Sequence, residues 1–310
     1  MKLFNVKNLI RLLVLMVVYG IIQYLFINKA INPFYMMTLV LVCIYIILAV
    51  SQNIITGFTG QLALGHAGFM AIGAYMSALV VVRMQGSLVA GIIFGALMAA
   101  AAGMLIGLPT LRLRGDYLAI ATLGLGEIVR IFFLNMDYLG GATGFSVPKT
   151  IDWTWAFWLM ALSVFLMSSF INSSHGRACI SVRENEIAAE AMGINTTKYK
   201  VMAFTMGAFF AGLAGAIYAN YMYLIHPGTF SFLKSFEILA MVVLGGLGSI
   251  TGSVVGAGVL TIISAGLADY PEFRMVIIAL VMIILMVYRP NGLLGNKELK
   301  LDFLRIKKKG

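Results

Sequence analysis

Charge is scarce in this chain of 310 residues: 11% are Asp, Glu, Lys or Arg, against about 25% in soluble domains, while 61% are hydrophobic. That balance excludes a soluble domain and points to a polytopic membrane protein. Cysteine is nearly absent too. Cys43 and Cys179 are too few for a disulfide framework, and both read as packing residues. No GxxxxGK[ST] phosphate loop occurs, so the chain does not cradle ATP phosphates in that way. No His, Cys, Asp or Glu cluster has metal-ligand spacing, and no nucleophile–base arrangement stands out, so catalysis within this chain is not expected. The longest polar connection, NMDYLGGATGFSVPKTID at 135–152, is too short for a separate domain.

What is present is apolar and small. The 33 glycines and 20 methionines suit packed membrane helices, where small residues let backbones approach. Apolar segments fall near 10–28, 34–52, 61–82, 87–108, 117–134, 153–171, 200–224, 235–250, 252–268 and 274–289. They predict an all-α polytopic membrane protein with about ten membrane-embedded helices in one transmembrane domain over 1–310, the two Gly-rich segments near 235–268 being the least certain to span. The first segment follows Lys2, Lys7 and Arg11 as in a signal peptide, but no small-x-small cleavage site comes after it, so a retained helix is expected. Net charge is +10, a figure a nucleic-acid binder can share. Here Lys and Arg sit in loops and at segment ends: at the N-terminus, at Arg112 and Arg114, at Arg177, Arg183, Lys198 and Lys200, and from Lys297 to Lys309. About ten crossings put all four clusters on one side, which the positive-inside rule makes the cytoplasm, with both termini there. No nucleic-acid partner is implied.

One stretch is unlike the rest. Gly176–Gly193, GRACISVRENEIAAEAMG, carries Arg177, Arg183, Glu184, Glu186 and Glu190 between long uncharged runs. Ser181 and Glu184 fit a capping box and Gly193 a helix stop, which predicts a helix of about 11 residues, roughly 17 Å long and too short to cross a bilayer. Ile187 with Ala191 and Ala188 with Met192 form an i,i+4 stripe, with the charges mostly turned away from it. A solvated connector, an interfacial helix or a docking element would all look like this; docking is the reading favoured here. Two Gly-rich stretches, GFTGQLALGHAGFMAIGAY at 57–75 and GGLGSITGSVVGAG at 245–258, interrupt the apolar pattern. Broken helices at membrane depth persist where they are buried in protein or line a cavity. Tight packing and a pathway role both fit these interruptions.

The strings at 57–75, at 176–219 (GRACISVRENEIAAEAMGINTTKYKVMAFTMGAFFAGLAGAIYA) and at 226–257 (HPGTFSFLKSFEILAMVVLGGLGSITGSVVGA) closely resemble permeases of branched-chain amino-acid ABC importers. The GRA…REN…AA..MGIN loop resembles the M-type of the two unlike permease subunits, and the resemblance covers about 35 to 295. It implies a permease in the bacterial inner membrane, surrounded by lipid, forming half of a translocation pathway with an H-type partner. It further implies two cytoplasmic ATPase subunits, which bind ATP and Mg, and an extracytoplasmic substrate-binding protein; no cofactor is implied for this chain. The family's EAA-like ATPase-docking loop maps within 173–199, onto Arg177, Arg183, Glu184, Glu186, Ala188, Glu190, Gly193 and Ile194. The chain reads Glu186-Ile187-Ala188-Ala189-Glu190 rather than a literal Glu-Ala-Ala.

Candidate pathway residues are Thr59, Gln61, His66, Glu127 and Glu237, because polar and charged groups within membrane segments are expensive. Glu127 is expected to neutralise Arg130 one turn on. Glu237 is expected to stabilise a helix N-terminus, with a contact to Lys234 or to the binding protein as alternatives. His66 is expected to be a satisfied structural histidine; titration, pathway lining or a bond to a freed carbonyl are the other readings. Permeases for urea or short amides share these patterns. From other classes, an ion-coupled secondary transporter would need intramembrane acids, for which Glu127 and Glu237 are thin support, and a membrane scaffold would use the charged helix for recruitment.

Overall fold

In lipid an apolar run satisfies its backbone as a helix, and the protein is accordingly a mostly helical, all-α membrane protein. A computed structural model describes residues 6–28, 32–110, 113, 115–268, 270–289, 292–293 and 295. Its helices are α1 (Val6–Ile27), α2 (Pro33–Asn53), α3 (His66–Ala78), α4 (Leu88–Thr110), α5 (Asp116–Leu134), α6 (Trp153–Ile171), α7 (Ser174–Glu184), α8 (Glu186–Ala191), α9 (Thr196–Tyr221), α10 (Phe232–Gly245), α11 (Ile250–Gly266) and α12 (Pro271–Tyr288). Wider π-type turns extend α2 through Ile54–Phe58 and α3 through Leu79–Arg83. The ten apolar segments of the sequence correspond to α1–α6 and α9–α12. Among the described residues six stretches are long and apolar enough to cross a membrane: Pro33–Phe58, His66–Arg83, Leu88–Thr110, Asp116–Leu134, Trp153–Ile171 and Thr196–Tyr221. The Gly-rich α10 and α11 have only 14 and 17 residues.

Helix starts follow local chemistry. Asn32 caps α2 by accepting from Phe34 N, and Pro33 occupies the first turn, where its missing N–H leaves no bond unmade. Ser249 caps α11 through Gly252 N at 3.0 Å. The centre of the molecule is α9 packed on α3 and α4 through small residues. A β-carbon on Gly73 would stand 2.0 Å from Gly212 O, so α3 and α9 touch backbone to backbone. Around this crossing lie fully buried Ile44, Ile47 and Leu48 of α2, Met70 and Tyr75 of α3, and Phe204 of α9. Tyr75 stacks on Phe133 of α5 with ring centroids 4.2 Å apart.

The connections gather at two ends. At one, β1 (Phe145–Ser146) pairs antiparallel with β2 (Leu224–Ile225), Arg83 donates to Tyr138 O, and His226 bonds Ala142 O. The 83–86, 135–152 and 226–234 connections therefore meet. At the other, Leu113, Gly115, Thr59, Gln61 and the α7–α8 corner line one cavity, so the loop bearing the expected Arg112–Arg114 cluster lies with the charged island. Arg112 and Arg114, like Lys2 and the basic tail from Lys297, fall outside the described residues.

Candidate functional site

The charged island is not the single helix its Ser181–Glu184 pattern predicts. Ser173 caps α7 through Gly176 N, and α7 runs past Ser181 to Glu184. Ser181 instead returns its hydroxyl to Ala178 O at 2.8 Å. The break comes at Asn185, whose extended backbone (φ −161°) ends α7 and whose side chain caps α8 through Ala188 N. The outward element is thus the six-residue α8. Gly193 closes it in a left-handed conformation (φ +82°), its N–H donating to Glu190 O while Ile194 N donates to Ala189 O. Those two crossed bonds are a Schellman stop.

The seat of this loop decides which side chains remain for a partner. Cys179 and Val182 bury one face of α7, with Cys179 Sγ against Tyr199 O of α9. Arg177 bonds locally, to Asn172 O and Ser174 Oγ. Arg183 pairs with Glu184 and reaches into the protein to Gly57 O at 2.8 Å. Glu186 pairs with Lys200 at the start of α9. Four of the charges mapped to the docking loop, Arg177, Arg183, Glu184 and Glu186, are therefore engaged within the chain, and Glu190 stays exposed. What faces outward is the small apolar stripe: Ile187 is 73% and Met192 83% exposed, with Ala188 and Ala191 exposed between them.

Beneath Arg183 the two Gly-rich interruptions come together. Asn53 at the end of α2 donates to Ser249 O (2.9 Å) and Ser253 Oγ (2.8 Å), and its Oδ1 accepts from Gly248 N (2.9 Å). This buried amide uses both N–H donors and its oxygen, the condition under which burial of an amide is tolerated. A β-carbon on Gly57 would lie 1.7 Å from Asn53 Oδ1 and 2.4 Å from Gly248 N, so no larger residue fits. The Arg183 guanidinium lies against Gly248 as well. The preceding residues are only half matched, since Gln52 Oε1 and His66 Nδ1 are buried without a partner among the described residues. Ser51 bonds His66 Nε2 at 2.8 Å, and Gln52 donates to Ala63 O at 2.6 Å. Sequence reading passed over Ser51-Gln52-Asn53, although three polar residues in succession inside an apolar run were the available signal.

The expected pathway residues separate into three places. The segment expected from 61 is corrected: helix α3 begins at His66, and Thr59 and Gln61 sit in the link before it, on the wall of a cavity of about 410 Å³ shared with Arg183, Glu186 and Lys200. Thr59 Oγ1 closes the π turn on Ile54 O, and Gln61 Nε2 reaches Lys200 O at 3.4 Å. They form part of the loop's seat. His66 is buried in the first turn of α3, where Nε2 bonds Ser51 and Nδ1 has no partner among the described residues, so the histidine expected to be satisfied is satisfied at one nitrogen. Glu127 forms the expected pair with Arg130, at 2.6 Å. Its other oxygen accepts from Phe232 N at 2.8 Å, so an acid on α5 serves the N-terminus of α10. That is the role assigned to Glu237, and here too the reading is corrected. Because α10 starts at Phe232, Glu237 lies beyond its first turn and pairs with Lys234 at 2.7 Å. Lys234 also donates to Tyr45 Oη of α2 at 2.7 Å.

Comparison with known proteins agrees with this architecture. Residues 34–286 match the family described as branched-chain amino acid transport system / permease component. The chain is 38% identical over 287 residues to the high-affinity branched-chain amino acid transport system permease protein LivM of Salmonella typhimurium, covering 81% of this chain and 68% of that one. It is 38% identical over 290 residues to LivM of Escherichia coli K12, covering 82% and 68%. To LivH of Salmonella typhimurium it is 25% identical over 288 residues, covering 83% and 92%. The higher identity is to the M-type sequences, as the loop motif predicts. The chain belongs to the branched-chain amino acid transport permease family and is a multi-pass membrane transport component of the LivM type.

Proposed function

We propose that this chain is one of two unlike permease subunits of a binding-protein-dependent importer for branched-chain amino acids, and that residues 173–199 are its contact with a cytoplasmic ATPase. In this reading about ten segments are embedded in the plasma membrane with both termini in the cytoplasm. An H-type subunit supplies the other half of the pathway. ATP and Mg are held by two ATPase subunits, and a soluble protein delivers substrate on the opposite side.

The observation that carries the reading is the division of labour in the island. The stripe of Ile187, Ala188, Ala191 and Met192 is exposed at the tip, while Arg183 and Glu186 fasten the loop to α2 and α9. A capped helix with small apolar residues outward fits a groove closely. A loop fixed at its base moves the helices it is fixed to when it is pushed. The solvated-connector alternative leaves Ile187 and Met192 without a reason to be in water.

The test is purification of the full chain from mild detergent, with cross-linking from Ile187→Cys. Recovery of two ATPase chains and a second permease, with the cross-link on an ATPase, is the expected result. A chain that purifies alone and cross-links to nothing would overturn the assignment. Uptake that stops on ATP depletion and survives an uncoupler separates this reading from ion-coupled transport.

A further inference from the structure

Another cavity shares no lining residue with the one at the coupling loop. It measures about 580 Å³, within the roughly 300–1,000 Å³ of small-molecule sites, and lies between α10 and α12. One wall is aliphatic, formed by Leu239, Ala240, Val243, Ile278 and Met282. The other carries two full charges of opposite sign, Lys234 and Glu237, one helical turn apart. Facing hydrocarbon, such a pair would carry a desolvation cost with nothing to repay it. Its chemistry is also incomplete. Of the three N–H donors of Lys234, one goes to Tyr45 Oη and one to Glu237 Oε2, leaving one. Glu237 Oε1 accepts from no described residue.

We propose that this cavity is a substrate site for a zwitterionic amino acid with an aliphatic side chain. The substrate carboxylate accepts the remaining N–H of Lys234, its ammonium donates to Glu237 Oε1, and its side chain lies on Val243 and Ile278. No existing ion pair breaks, because the ligand adds its own two charges in the complementary order. Tyr45 holds the ammonium of Lys234 from α2, so the site is fixed to a second helix and does not depend on α10 alone. Selection in this site is for both charged groups at once: an amide or a simple carboxylic acid satisfies only half of it. The inference rests on the proposed import of branched-chain amino acids and locates where this subunit meets them.

The two native cysteines are buried, so Ala240→Cys is a clean reporter on the cavity wall. The complete transporter is labelled with a maleimide in the presence of leucine, leucinamide or 4-methylpentanoate, and ATP-driven leucine uptake by the unmodified transporter is measured in parallel. Leucine is expected to slow labelling by about tenfold at saturation, with little protection by the other two. Lys234→Met and Glu237→Gln should each abolish the protection. If either single variant fails to assemble, the double variant Lys234→Met with Glu237→Met leaves no unpaired charge and should assemble without protection. Labelling that leucine never changes, or protection equal for all three compounds, overturns the site while normal uptake leaves the import reading standing. A reporter blocked without any added compound shows that the partner permease or lipid fills the cavity, and overturns the site as well. Absence of ATP-driven leucine uptake in the unmodified transporter removes the import reading itself.

Discussion

Arg183 and Gly57, 126 residues apart, are joined by a 2.8 Å hydrogen bond from guanidinium to carbonyl oxygen. The bond connects the loop that carries the exposed α8 to the π turn that ends α2. From there Asn53 continues to Gly248, Ser249 and Ser253. A displacement of the loop therefore has a continuous path of polar contacts to the α10–α11 turn.

Arg183→Ala removes the first link of that path. A hydrogen bond from a charged donor contributes about 1.5 kcal/mol at the low end, the end that suits a partly exposed side chain. The fold should survive that loss. Uptake in proteoliposomes is expected to fall by about tenfold while ATP hydrolysis by the assembled complex persists, because the loop still docks but no longer pulls on α2. Uptake and hydrolysis falling together would show that Arg183 acts in docking instead.

Asn53→Ala strikes the centre of the same network. It leaves Gly248 N–H without its partner, takes one of their partners from Ser249 O and Ser253 Oγ, which still bond each other, and empties the space of the side chain. One unsatisfied donor costs about 1–3 kcal/mol and the cavity adds to it, so thermal denaturation in detergent should shift downward. Asn53→Asp should be no better, since a carboxylate cannot donate to Ser249 O. An unchanged midpoint for either variant would count against the network as a structural joint.

How much of this was legible in the sequence varies with the range of the interaction. The apolar runs marked the six membrane-length stretches and the shorter apolar helices among the described residues, because length and hydropathy are local properties. The M-type loop and the Gly193 stop were legible for the same reason. The start of the short helix was not. Ser181 and Asn185 are both good caps, and the choice fell to Asn185 because α7 continues as far as Cys179 and Val182 can pack. The start of the third segment was set at 61 instead of His66 because nothing local tells a residue in the link before a helix from one inside it. Asn53 was missed because its partners lie about two hundred positions away, at residues 248–253.

His66→Ala tests whether the one histidine of α3 is structural. Its recorded bond is to Ser51, and the loss of one neutral hydrogen bond costs about 1 kcal/mol, to which a cavity term is added. Lower thermal stability with normal uptake per assembled complex is expected, and His66→Gln should recover part of the stability. Loss of uptake in a fully assembled, stable complex would assign His66 to the pathway.

Cys179 reports on whether the loop is seated. Burial against α9 pushes its thiol up to about 11. Maleimides react with the thiolate, so at neutral pH the raised value keeps Cys179 protonated and slow to label. In a Cys43→Ala background the labelling rate should rise only as pH approaches 11. Unseating the loop removes the burial, lowers the thiol toward its ordinary range and opens access, so Arg183→Ala should label faster at pH 8. Equal rates with and without Arg183 would mean that α7 stays packed when its bond to Gly57 is lost.

Gly193→Pro tests the stop of α8 against the solvated-connector alternative. Proline holds φ near −65° and has no N–H, whereas Gly193 sits at φ +82° and donates to Glu190 O. The substitution cannot be accommodated locally, so the Schellman closure opens and Ile187 and Met192 lose their fixed direction. A Gly193→Ala variant carries only the left-handed strain, about 1 kcal/mol, and keeps the N–H. Membrane insertion should be unaffected in both, because the site lies outside the six spanning stretches. Transport should be abolished by proline and reduced by alanine, in parallel with recovery of ATPase chains on purification. That graded loss is what a docking helix requires: its contact depends on the direction of two side chains, and the direction depends on one backbone angle. If Gly193→Pro transports normally and still retains its ATPases, α8 is only a connector.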